Sequence, residues 1–485
     1  MQSLAVRYAI HISAVFALYL SGLMLIPALV DLYYDHDDWQ IFAVSALLLG
    51  GFSSAVALAT QSRDVVASPR FAFLLVNMLW FTFAVAGMLP LMASSFQLGF
   101  TDAFFESVSA ATATGATVMS GLDTAPPGLL LWRSLLQCLG GLGVIAVGLF
   151  ILPFLNIGGV SYFKIESSDI EDKPFARFAT FAVSLLGIYL SLVLICAIAY
   201  AAAGMTIFNA VNHAMTTVAT AGMSTHDTSF VRYTDTPAVL WIAIVFMIIG
   251  SLPFSIMILF ILRGRVEALR DPQIRVFLGY AAFFSVAVAI YLRITQDVPF
   301  FEAITLSTFN FVSIITTTGY ASSDYSLWGA FAVACAFVAT FLGGCSGSTT
   351  GGIKAYRFLI LFRLMANGLR KLIYPHAIVT VRYGDRTVDD TMQRAVVLYI
   401  SSFLVIWVAL IILLAATGLD LTTATSGALT ALTNVGPGLG DTIGPAGNYA
   451  TLPDAAKWFL AIAMLLGRLE LLAVLVIFTP GFWSR

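Results

Sequence analysis

The chain has 485 residues, of which 59% are hydrophobic and only 10% charged, with a formal net charge of -2. An ordinary soluble domain carries about 25% charged residues, so a water-soluble globular protein is excluded and the bilayer is the main solvent. Bases scattered through short loops likewise exclude a surface that tracks a nucleic-acid backbone.

A spanning helix needs about 20 mainly apolar residues. In chain order such segments fall at 8–30, 40–60, 71–93, 128–154, 178–203, 237–262, 275–293, 327–365, 393–416 and 456–479. The first is longer than a signal-peptide core and lacks a clear small-x-small cleavage site, so it is expected to remain as an anchor. The eighth is interrupted by Gly343, Gly344, Gly347, Gly351 and Gly352 within ten residues. Each glycine costs a helix about 1 kcal/mol, so the helix is expected to open there. No G-x-x-x-x-G-K-[ST] string and no preceding strand support a phosphate loop. Cys138, Cys196, Cys335 and Cys345 lie in or beside apolar segments without C-x-x-C spacing and read as small core residues.

Lys and Arg set the orientation. The even-numbered connections and the two ends hold Arg7, Arg63, Arg70, Lys164, Lys173, Arg177, Arg263, Arg265, Arg270, Arg275, Arg357, Arg363, Arg370, Lys371, Arg382, Arg386, Arg394 and Arg485. The odd-numbered connections hold only Arg133, Arg232, Arg293 and Lys457, against fifteen carboxylates that include Asp31, Asp102, Glu106, Asp123 and Asp227. Both termini are therefore expected in the cytoplasm, with an outer face that concentrates cations if its acids share a mouth.

The outer connections after the third, fifth, seventh and ninth segments each contain a semi-apolar stretch followed by hydroxyl and small residues around one glycine. They read Thr112-Ala113-Thr114-Gly115, Ala219-Thr220-Ala221-Gly222, Thr316-Thr317-Thr318-Gly319 and Thr433-Asn434-Val435-Gly436. The glycines lie 107, 97 and 117 residues apart. A period near 100 residues indicates four helix, re-entrant segment, helix units on one chain, able to surround an axis. A stretch too short to span is tolerated at membrane depth only when buried in protein or lining a water-filled cavity. Short helices aiming their partly negative C-terminal ends at that cavity favour a cation. The backbone beyond them would supply carbonyls in place of the ion's water, and glycine keeps the bore clear of side chains.

On these four stretches the sequence resembles the Trk/Ktr/HKT superfamily of potassium- and sodium-translocating proteins, and within it the membrane-subunit (TrkH) family of bacterial Trk potassium uptake systems. The resemblance covers essentially the whole chain. It implies an all-α polytopic membrane protein, with four helix, pore helix, helix repeats in pseudo-fourfold arrangement around one pore and two extra N-terminal helices. Residues 1–65 would form the added helices, and 66–165, 166–270, 271–375 and 376–485 the repeats. It further implies a potassium filter built from Ala113, Thr114, Gly115, Thr220, Ala221, Gly222, Thr317, Thr318, Gly319, Asn434, Val435 and Gly436. In plant relatives serine at the first filter glycine accompanies sodium selectivity, so Gly115 favours potassium. Ala219 and Asn434 break the chemical fourfold, and some passage of sodium or rubidium is expected.

The glycine-rich loop 343–352, ending in Ile353-Lys354, resembles the superfamily's intramembrane loop beneath the filter. Ionisable groups inside a span are costly and default to function, and here these are Lys354 and Arg468. The expectation is a gate formed by Gly343, Gly344, Gly347, Gly351 and Gly352, held across the pathway by Lys354 and Arg468. Glu470 is a weak partner for Arg468, because two residues along a helix it faces elsewhere.

K+ is thus the expected cargo, with no organic cofactor in this chain. No Rossmann fingerprint occurs here, so any nucleotide control is expected from another chain; the resemblance implies membrane lipid, a second copy in a homodimer, and a TrkA-like cytoplasmic ring binding ATP/ADP or NAD(H) as partners. The basic stretches Arg263 to Arg275 and Arg357 to Arg394 are its candidate docking surfaces. A proton- or sodium-coupled symporter is the alternative transport mechanism. An enzyme is not expected, because His11, His36, His213, His226 and His376 are dispersed and form no H-E-x-x-H or triad pattern.

Overall fold

The computed structural model describes residues 2–61, 69–146, 174–264, 269–377, 379–384 and 386–483. Arg63, Lys164, Lys173, Arg265 and Arg485, the side chains of Arg177 and Arg263, and the end of the fourth expected span (147–154) lie outside these residues.

Among the described residues the regular structure is helical apart from one two-stranded hairpin, Arg382–Tyr383 with Arg386–Thr387. Among the described residues seven helices are long and apolar enough to cross a membrane, or up to nine if each of two bent pairs counts as one span. Two N-terminal spans come first, Gln2–Leu23 continuing as Leu25–Tyr33, and Trp39–Thr60. The four repeats follow. Each has a first helix, a short pore helix and a second helix. The first helices are Pro69–Ala93, Pro174–Ala202, Pro272–Thr295 and Asp390–Ala416. The pore helices are Phe100–Ala111, Ile207–Val218, Phe300–Ile315 and Leu421–Thr433. At 12 to 16 residues they span at most about 24 Å, less than the hydrocarbon core of a bilayer.

Polar starts and broken ends explain these lengths. The Thr206 and Asp420 side chains accept from Asn209 N and Thr423 N and cap the second and fourth pore helices, satisfying backbone donors that a helix start leaves open.

The second helices depart from the straight spans expected at 237–262, 327–365 and 456–479. Pro237–Gly250 turns by 95° into Phe254–Ile261, and Asp454–Arg468 turns by 110° into Leu471–Phe478. Ala330–Phe341 stops, and Ala355–Ile373 begins only after the glycine-rich loop. At the first bend Pro253 has no backbone N–H to continue the ladder. At the second, Glu470 sits at φ +60, which ends right-handed helical geometry. Among the described residues three second helices thus break, where the sequence suggests one break.

Candidate ion pathway

The four pore helices end identically in backbone terms. Ala113, Thr220, Thr317 and Asn434 all have φ between +49 and +56. In each repeat this residue donates three residues back, and the next donates five back. The bonds are Ala113 N to Ala110 O and Thr114 N to Ser109 O, Thr220 N to Thr217 O and Ala221 N to Thr216 O, Thr317 N to Ile314 O and Thr318 N to Ser313 O, Asn434 N to Ala431 O and Val435 N to Thr430 O. These paired bonds are a Schellman end, normally made with glycine. Three non-glycine, non-asparagine residues at positive φ each cost about 1–2 kcal/mol, so the turn is imposed by its surroundings. Two residues further on, Gly115, Gly222, Gly319 and Gly436 also have positive φ, between +79 and +104.

These glycines form a closed circuit. A Cβ on Gly115 would lie 2.4 Å from Ala221 O, on Gly222 1.8 Å from Thr318 O, on Gly319 2.0 Å from Val435 O, and on Gly436 2.6 Å from Thr114 O. Each glycine therefore abuts the residue preceding the glycine of the next repeat, and the fourth repeat returns to the first. Of the twelve residues expected from sequence, the four glycines and the residue before each make this circuit, and Ala113, Thr220, Thr317 and Asn434 are the positive-φ residues that lead into it.

Side chains brace the circuit. Gln137 Nε2 donates to Ala221 O at 2.7 Å and Gln137 Oε1 accepts from Met223 N at 3.1 Å. Asn434 Nδ2 donates to Thr114 Oγ1 at 3.0 Å, and Tyr449 OH to Gly436 O at 2.6 Å. The Tyr320 hydroxyl reaches Thr216 and Thr217 of the second pore helix. None of these braces is visible in a loop-by-loop reading of sequence.

Below the circuit, the glycine-rich loop is bonded to three repeats. Thr349 Oγ1 donates to Gly250 O at 2.9 Å and accepts from Thr220 Oγ1 at 3.0 Å. Gly351 N donates to Thr317 Oγ1 at 2.7 Å, and Gly352 N to Thr433 O at 2.8 Å. The loop's ends are paired, Gly343 N to Ile353 O and Ala355 N to Gly344 O, both at 3.0 Å. Gly347 O accepts from Phe254 N at 2.9 Å. All five predicted glycines thus lie in one anchored turn.

Lys354 is buried, its ammonium bonded to Thr350 O and to Thr350 Oγ1 at 3.2 Å. Arg468 is 5% exposed, and its Nε, Nη1 and Nη2 have no hydrogen-bond partner among the described residues. Both line a cavity of about 40 Å³ together with Ser346, Ser348, Thr350 and Glu470, polar and roomy enough for water. Glu470 is indeed not the partner of Arg468. It pairs with Arg357 at 2.5 Å.

That pair revises the charge map. Arg357, counted from sequence among cytoplasmic bases, is fully buried, with its guanidinium 3.7 Å above the Tyr399 ring. Among the outer acids, Glu106 and Asp31 are also fully buried. Glu106 pairs with Arg133 at 2.8 Å, Asp102 with Lys457 at 2.6 Å, and Asp123 with His226 at 2.5 Å. The face expected to be outer is thus less negative than its acid count.

The outer connections of the first two repeats clasp each other. Asp227 accepts from Gly121 N and Leu122 N at 2.9 and 3.1 Å, while Asp123 faces His226 and, at 3.4 Å, Arg232. Burial pushes the Asp123 carboxyl up, but the His226 hydrogen bond and charge, with Arg232, hold it below the ordinary value. A depressed carboxyl stabilises the fold above its unfolded value near 3.9 and loses that contribution as pH falls through the folded one. Thermal stability measured across pH 3–6 is expected to drop below about pH 4, and less steeply for Asp123→Asn than for the unaltered chain.

The sequence profile of the family described as TrkH, cation transport protein, matches residues 41–484. The chain is 44% identical over 476 residues to the Trk system potassium uptake protein TrkI of Halomonas elongata, covering 98% of this chain and 96% of that one. It is 34% identical over 472 residues to the Trk system potassium uptake protein TrkH of Escherichia coli K12, covering 96% of each. The crystal structure of the potassium transporter TrkH from Vibrio parahaemolyticus superposes with a TM-score of 0.91 at 34% identity, covering all of both chains.

Proposed function

Because the chain belongs to the TrkH family of cation transport proteins, we propose that it is the potassium-translocating membrane subunit of a Trk-type uptake system. The observation that carries the reading is the circuit of four glycines, each against a neighbouring repeat's carbonyl. Such a ring supplies carbonyl oxygens in place of a cation's hydration shell, at the C-terminal ends of four pore helices whose dipoles favour positive charge. On this reading residues 1–65 are added helices, and the repeats run 66–165, 166–270, 271–375 and 376–485.

The loop 343–352 is the gate in this proposal. It sits under the filter, bonded to Thr220, Thr317 and Thr433. Buried Lys354 and Arg468 place positive charge beside the path, raising the barrier for a cation. Opening must break the loop's bonds, which supports control by a larger event. A cytoplasmic nucleotide-binding ring acting on the basic segments beside the loop and the hairpin, in a homodimer of the inner membrane with cytoplasmic termini, is the regulator that fits.

The test is rubidium and potassium flux through the purified chain in liposomes. Lys354→Ala, or a short linker in place of 344–352, is expected to raise basal flux several-fold. Unchanged flux would put the gate elsewhere. A reversal potential that follows the pH gradient would replace the channel-like reading by coupled symport.

A further inference from the structure

The pore helices share another correspondence. Counting back nine residues from each filter glycine gives Glu106, His213, Asn310 and Gly427. The first three are buried polar side chains, and each reaches forward to the strand that leaves the filter. Glu106 Oε2 accepts from Val118 N at 2.9 Å and Thr117 Oγ1 at 3.0 Å. His213 Nε2 shares a hydrogen bond with Ser224 Oγ at 3.0 Å. Asn310 Oδ1 accepts from Ser322 N at 3.2 Å while its Nδ2 donates to Ser322 Oγ at 2.8 Å. In the fourth repeat the position is glycine, and the preceding Ser426 Oγ accepts from Leu439 N at 3.0 Å.

Val118, Ser322 and Leu439 all stand three residues after their glycines, and Ser224 two after its own. Four chemically different side chains thus make one geometric tether between the pore helix and the outer strand. Buried polar groups must be satisfied, but satisfaction alone does not require one register in the first and third repeats and a register within one residue of it in the other two.

We propose that Glu106, His213, Asn310 and Ser426 are positioning residues for ion selectivity, holding the outer strand of each filter loop at a fixed distance from its pore helix. The inference rests on the filter reading above. Carbonyl rings discriminate cations by bore and field strength, and both depend on where the strand backbone is held. The first tether is tied to the second, because Arg133 bonds Glu106 at 2.8 Å and Ser224 O at 3.3 Å. A slack tether in one repeat therefore loosens its neighbour.

Asn310 offers the cleanest test, since it carries no charge and spares the Glu106–Arg133 pair. The full chain is reconstituted in phosphatidylethanolamine and phosphatidylglycerol vesicles, and the potassium-to-sodium permeability ratio is read from bi-ionic reversal potentials. Asn310→Leu is expected to lower the ratio about three- to tenfold, the range that a net hydrogen bond or two allows, with a lowered thermal transition because the Ser322 N–H loses its acceptor. Asn310→His, which imports the second repeat's residue, is expected to restore much of it. If Asn310→Leu does not fold, Ser322→Ala removes one arm of the tether and is expected to lower the ratio in the same direction. The tether proposal is overturned if the folded variants keep the original ratio while Gly115→Ser changes it. If Gly115→Ser also leaves the ratio unchanged, the filter reading fails and the tethers fall with it.

Discussion

Gly222→Ala is expected to reduce potassium and rubidium flux by more than about tenfold, the equivalent of 1.4 kcal/mol in a barrier. The added Cβ would stand 1.8 Å from the Thr318 carbonyl oxygen, on a backbone at φ +79. The left-handed conformation alone costs a side chain about 1–2 kcal/mol, and the overlapping atom is backbone, which cannot swing away. The circuit also predicts an order. Alanine at Gly222 and Gly319, with contacts of 1.8 and 2.0 Å, should harm flux more than at Gly115 and Gly436, with 2.4 and 2.6 Å. Gly187→Ala and Gly279→Ala, whose new Cβ meets nothing within 4 Å, serve as controls at wild-type flux. Equal, mild effects at all four filter glycines would show that the ring tolerates side chains and does not fit an ion closely.

Glu470→Ala should destabilise the protein by roughly 3–5 kcal/mol, the usual cost of leaving a buried partner charge alone. Arg357 has no exposure and the Tyr399 ring covers one face of its guanidinium, so only the small cavity that Glu470 lines could hydrate it once the carboxylate is gone. The double variant Arg357→Met with Glu470→Gln should recover most of the loss, because a buried pair is far less costly to remove whole than by halves. Glu470 also stands at φ +60. Glu470→Gly relieves that backbone strain yet still orphans Arg357, so it separates conformational from electrostatic cost. Thermal unfolding in detergent ranks the variants. The pair joins the helix after the gate loop to the bend of the last span, so basal flux should rise where stability falls. A double variant no more stable than Glu470→Ala would refute the account.

The four matching glycine turns, proposed as the filter, were legible because the copies keep one glycine and similar small neighbours at regular spacing. The glycine-rich loop, proposed as the gate, was legible because five glycines within a span defeat helix propensity. The bends after Gly250 and Arg468 were not, since each interrupts an apolar run at one or two residues with no glycine cluster, and each rests on a single residue, Pro253 or Glu470. Arg357 read as a cytoplasmic base because it lies near other bases. Only tertiary packing puts it beside a carboxylate 113 positions away. The tethers escaped for another reason. Glutamate, histidine, asparagine and serine do not look alike, and their equivalence lies in the backbone donors and hydroxyls that they reach.

The circuit of glycines closes only where the fourth repeat meets the first, and Asn434 bonds Thr114 across 320 positions of sequence. At about 5–20 residues per second of synthesis, roughly 16 to 64 s separate the emergence of those two loops. Throughout that interval the earlier pore helices sit in the bilayer with carbonyls facing a partner that does not yet exist. On the proposed filter reading, the nascent protein therefore has no ion-binding ring until its final hundred residues arrive, and it cannot leak ions selectively while half-made.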